Sequence, residues 1–173
     1  MAKTTLQFTL LFIALVLAQV LVLNRLYLFE TALPLAFIYF ILRLPVTMGA
    51  IGIMTLSFLL GVTIDVFSDT AGMNALACTV LAALRLPVLR LYFPREEDLT
   101  IPEPSMRSLG AGVYMKYAMT MSLLYCTLYF VIEAFSLFNP LTLVLRILGS
   151  SVLTFIVIMC IDSLMNQRSE KRL

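Results

Sequence analysis

The side chains in this sequence that could do chemistry are few. The acids within or beside apolar runs are Asp65, Asp69, Glu133 and Asp162, and Arg146 is the base placed to meet one of them. An intramembrane aspartyl protease needs two acids at one depth. Asp65 and Asp162 fall near opposite membrane faces, and Asp65 with Asp69 marks a turn rather than a dyad. A serine nucleophile needs a base, and the chain has no His, the usual metal ligand and the usual acid/base near neutral pH. Cys78, Cys126 and Cys160 each lie in a separate apolar run, so no metal spacing and no disulfide framework is present. They read as small buried hydrophobes. The expectation is a protein that is not an enzyme, with no cofactor and no metal.

What remains for these charges is structural or recognition work. Ser57, Gly61, Asp65 and Asp69 recur every four residues and share a helix face. That face combines small residues, which admit a neighbouring helix, with a carboxylate that hydrocarbon does not tolerate alone. Asp65 either sits wet near the membrane surface or faces the interior and ties two helices together. In the second case its partner is the helix that starts beyond the turn at Gly72–Asn74, whose free amides attract an anion. Gly72 would allow a turn conformation barred to bulkier residues, and Asn74 would act at the cap. Glu133 and Arg146 flank the last turn at similar depth and are expected to form an intramembrane ion pair.

The elements that must position these residues follow from composition. Of 173 residues, 61 % are hydrophobic and 13 % charged, whereas a soluble domain carries about 25 % charged residues. The chain reads as an integral membrane protein, an all-α bundle in one domain. Six transmembrane helices are expected, over about 5–23, 31–43, 47–68, 73–91, 111–135 and 141–163. A five-span version would drop the short second stretch, which contains Pro34 and could borrow residues, thin the bilayer or lie against protein. The first apolar run has no small-residue cleavage site at its end and reads as an uncleaved span. Arg85 is expected to snorkel toward the nearer surface, and Pro87 to kink its helix or relax the last turn. Residues 92–110 form a cytoplasmic loop bearing the acidic run Glu96, Glu97 and Asp98. Residues 164–173 form a basic cytoplasmic tail. Lys3, Arg43, Arg85, Arg90, Arg95, Arg107, Lys116, Arg168, Lys171 and Arg172 fall on one side, with only Arg25 in the opposite connections. That bias puts both termini in the cytoplasm.

Two faces could receive a partner helix. Ala14 and Ala18 make a small-xxx-small pair on the first helix, and Ser57 and Gly61 make another on the third. Ser122, Tyr125, Tyr129 and Glu133 form one polar stripe, and Arg146, Ser150 and Thr154 a second.

Gly61, Asp65, Gly72 and Asn74, in GVTIDVFSDTAGMNAL, resemble the signature of the rod shape-determining protein MreD family. The short proline-bearing second span, the acidic, proline-bearing middle loop and the basic tail are similar too. The resemblance implies a non-catalytic scaffold subunit of the bacterial cell-elongation complex, in the cytoplasmic membrane, supporting cell shape and peptidoglycan synthesis. Its implied partner is MreC, a single-span protein with a large periplasmic domain. Through it come MreB, a glycosyltransferase and a transpeptidase, with membrane lipids as surroundings and no nucleic acid. The implied helix arrangement is similar to the substrate-binding subunits of energy-coupling-factor transporters. That likeness carries the alternative, a vitamin-type transporter subunit docking through Ala14 and Ala18.

Overall fold

In a hydrocarbon environment each backbone polar group must find its partner inside the protein, and long apolar runs meet this demand as helices. The computed structural model describes residues 2–23, 33–92, 104–134 and 140–170. Its elements are α1 (Ala2–Leu21), α2 (Ile38–Arg43), α3 (Ala50–Ser68), α4 (Met73–Tyr92), α5 (Met106–Leu109), α6 (Ala111–Glu133) and α7 (Pro140–Glu170), with no strand among the described residues. Four stretches are long and apolar enough to cross a membrane: α3, α4, α6 and Leu141–Met165 of α7. A shorter apolar stretch, Leu6–Leu21, forms most of α1. The protein is therefore an all-helical chain with membrane character.

The helices pack in a chain of neighbours. α3 lies along α4, α4 against α6, and α6 against α7, while α1 leans on α3 and α2. Large apolar side chains of α1 and α7, such as Leu10, Leu17, Leu145 and Ile156, face outward. That is the expected arrangement for surfaces that meet lipid or another membrane helix.

The second apolar stretch departs most from expectation. It is not a helix over 31–43. Residues 33–37 are non-helical, and α2 holds 6 residues, about 9 Å of rise against a hydrocarbon core of about 30 Å. Every residue from Leu35 to Leu42 is buried, and Phe37, Ile38, Tyr39, Ile41 and Leu42 have no exposed surface. The segment thus lies inside the bundle. A helix apolar on all sides belongs in a core. Pro34 leaves the entry to α2 short of a donor, so the preceding backbone cannot join a regular ladder.

Element ends differ by a few residues elsewhere. α3 starts at Ala50 rather than 47, because the Pro45–Met48 turn and extended Gly49 precede it. α4 continues through Pro87 to Tyr92. α6 ends at Glu133, and α7 runs on past Ser163 into the expected tail. Met106–Leu109 adds a single turn within the expected loop, capped by reciprocal Ser105 and Ser108 contacts. Arg25, the acidic run at 96–98, Lys171 and Arg172 lie outside the described residues.

Candidate functional site

The turn between α3 and α4 brings together all four residues of the Gly61–Asn74 signature. Asp69 caps the C-terminal end of α3, and its φ of 53° places it in the left-handed region. Gly72 follows with φ of 79°, which a residue without Cβ adopts at little cost. The chain then enters α4 directly beside the last turns of α3. Asp65 is 5 % exposed, so it is not a wet surface acid. Its Oδ1 accepts from the Asn74 backbone N–H at 3.1 Å, from Asn74 Nδ2 at 2.9 Å and from the Thr70 hydroxyl. Its Oδ2 accepts from the Ala75 N–H at 2.8 Å. The carboxylate therefore caps α4 from the neighbouring helix, where unpaired amides and the helix dipole favour negative charge. The network continues inward, since Tyr125 of α6 donates to Asn74 Oδ1 at 2.7 Å. Tyr125 in turn meets Phe37 edge-on with ring centroids 5.5 Å apart, which ties the cap to the buried segment before α2.

Gly61 explains how the two helices come so close. A Cβ built on it would lie 2.4 Å from Ala75 Cα and 2.6 Å from Asn74 O. Ser57, one turn earlier, is also fully buried. Ser57 and Gly61 are thus not open to a partner, contrary to expectation. At Gly61 that face is already filled by the backbone of α4. Ala14 and Ala18 of α1, by contrast, are exposed.

The second constellation surrounds α2. Gln19 of α1 donates through Nε2 to Pro34 O at 2.9 Å and accepts at Oε1 from Ala36 N at 3.0 Å. From α7, Ser150 Oγ accepts from Leu33 N at 3.1 Å and Thr154 Oγ1 from Leu35 N at 3.0 Å. At the other end of α2, Arg85 of α4 donates to the carbonyls of Leu42 and Leu44. Side chains from three helices replace the bonds that a continuous helix would supply, which is the condition for irregular backbone at membrane depth. Arg85 has no exposed surface and does not snorkel. Its role at the C-terminal end of α2 turns it inward.

Within α2, Tyr39 donates to Asp162 Oδ1 at 2.9 Å and accepts from Arg43 Nη1 at 2.6 Å. Arg43 Nη1 stands 3.7 Å from Asp162 Oδ1, and Asp162 Oδ2 accepts from Met106 N at 3.0 Å. Asp162 thus joins α2, α5 and α7. Sequence reasoning missed this cluster. The signal was present in Asp162, an acid inside an apolar run, and in the Tyr39–Arg43 spacing of four.

The expected Glu133–Arg146 ion pair is not formed. Glu133 is exposed, and Arg146 Nε is buried without a hydrogen-bond partner. The two polar stripes instead divide by depth. Ser122, Tyr125 and Tyr129 turn into the core while Glu133, at the end of α6, faces outward. Ser150 and Thr154 turn toward the entry to α2. Cys78 and Cys126 are buried as expected, but Cys160 is exposed on α7. Among the described residues no cluster of His, Cys, Asp or Glu could hold a metal ion. Comparison of the chain with family models, with curated proteins and with solved structures gives no match.

Proposed function

We propose that this chain is a scaffold subunit of the MreD type, without catalysis of its own, in the bacterial cytoplasmic membrane. In this reading it binds an MreC-like single-span partner and supports cell-wall elongation. The observation that carries the reading is the convergence of Gly61, Asp65, Gly72 and Asn74 on one helix-to-helix cap. Each residue of the resembling motif has a separate physical task there, so the likeness extends from letters to mechanism. Asp65 supports the non-catalytic part, because donors already occupy both of its oxygens.

The packing supports six passes with both termini on one side. Phe12 of α1 meets Phe40 with ring centroids 5.4 Å apart, while Gln19 meets Pro34, so α2 returns antiparallel to α1. α2 is then the core of the second pass, completed inside the protein. The Lys/Arg bias makes the shared side cytoplasmic. The outward face of Ala14 and Ala18 is the docking surface in this reading, since small residues let a partner helix approach closely.

Crosslinking of the tagged chain in its native membrane, followed by identification of the captured proteins, tests the reading. Capture of a single-span periplasmic cell-shape protein is expected, with loss of capture in Ala18→Trp at unchanged folded yield. A tightly retained vitamin and a transport ATPase partner in place of that protein would contradict it.

A further inference from the structure

Arg85 carries a poorly balanced buried charge. Its side chain is 0 % exposed, and only Nη2 is engaged, on the carbonyls of Leu42 and Leu44. Nε and Nη1 have no partner. Among the described residues no carboxylate pairs with it. Asp162 stands beside Arg43, and Asp65 is committed to the first turn of α4, about 15 Å away along that helix. Two further donors share this region. The hydroxyls of Tyr117 and Tyr114 on α6 are fully buried and unpartnered. Tyr117 lies beside the Arg85 guanidinium, and its ring centroid is 6.5 Å from that of Tyr114.

A buried cation held only by neutral carbonyls is poorly compensated, and each idle donor adds to the desolvation penalty. Water would satisfy the N–H groups but bring no charge. An oxyanion with several acceptor oxygens supplies both charge and acceptors, and a guanidinium with tyrosine hydroxyls suits phosphate geometry. We propose that Arg85, Tyr117 and Tyr114 form a binding site for a phosphate group, between α4, α6 and the C-terminal end of α2. The site is independent of the scaffold reading.

The full chain, purified in lipid nanodiscs, tests this in two arms. In one, orthophosphate is titrated against chloride at matched ionic strength in discs of a phosphate-free glycolipid, with thermal stability as readout. In the other, discs of phosphatidylglycerol and of the glycolipid are compared by native mass spectrometry. Saturable stabilisation in the first arm identifies a free phosphate. Retention of one phosphatidylglycerol in the second, without the first, identifies a lipid headgroup. In either case Tyr117→Phe binds roughly tenfold more weakly, the loss of one hydrogen bond to a charged group. Its stability without the anion is unchanged or higher, because the hydroxyl it removes has no partner. Arg85→Gln abolishes binding, and if that variant does not fold, Tyr117→Phe decides. Absence of saturable binding in both arms, or unchanged affinity in Tyr117→Phe, overturns the proposal.

Discussion

Replacing Asp65 with asparagine changes two atoms' chemistry and little volume, so its effect can be worked from the four bonds of the cap. The carboxylate accepts on both oxygens: from Asn74 and Thr70 on Oδ1, and from Ala75 N on Oδ2. An amide keeps one acceptor oxygen. With that oxygen toward Asn74, its NH2 group confronts the Ala75 N–H, donor against donor. A stranded buried amide costs about 1–3 kcal/mol. Loss of the negative charge at the α4 N-terminus adds about 0.3–2 kcal/mol. Asp65→Asn should therefore destabilise the fold by about 3 kcal/mol, a shift of more than about a hundredfold in the folding equilibrium. Reversible unfolding in mixed micelles measures it, with Asp69→Asn as the control, since Asp69 is exposed. Combination with Asn74→Ala should be less than additive, because both changes act on one network. A change below about 0.5 kcal/mol for Asp65→Asn would refute the capping argument.

Gly61→Ala forces a methyl against the α4 backbone and should cost about 1–3 kcal/mol in the same assay, with α3 and α4 measurably further apart by spin-label distances. Gln19→Leu strands Pro34 O and Ala36 N together and should destabilise by about 2–4 kcal/mol, read as faster hydrogen exchange at Ala36. Asp69→Gly relieves a left-handed non-glycine residue and should raise stability by up to about 1 kcal/mol, seen as a small increase in Tm.

The α3–α4 turn was legible in the sequence because its causes are local. A carboxylate one helical turn beyond a glycine on the same face, a second glycine after the turn and an asparagine beyond it define the cap within sixteen letters, GVTIDVFSDTAGMNAL. The all-helical, membrane character followed equally from composition, whereas among the described residues four helices, not six, are long and apolar enough to cross a membrane. The burial of α2 was only partly legible. Its shortness and Pro34 pointed to an irregular segment, but the groups that complete it are Gln19, Ser150 and Thr154, and no local pattern links residues so distant in the chain. Arg85 and Glu133 misled for a related reason. Sequence depth gives the distance of a side chain from the surface, not its direction around the helix axis. The C-terminal carbonyls of α2 draw Arg85 inward, and the end of α6 leaves Glu133 outside.

The central claim is that the non-helical entry to α2 lies inside the protein, held by polar side chains of α1 and α7. Paired cysteines at Leu35 and Thr154, in a chain whose native cysteines are replaced by alanine, test it in intact membranes. Leu35 N donates to Thr154 Oγ1 at 3.0 Å, so oxidation should close an intrachain crosslink in high yield. Failure to crosslink, together with labelling of position 35 by a photoreactive lipid, would contradict the account.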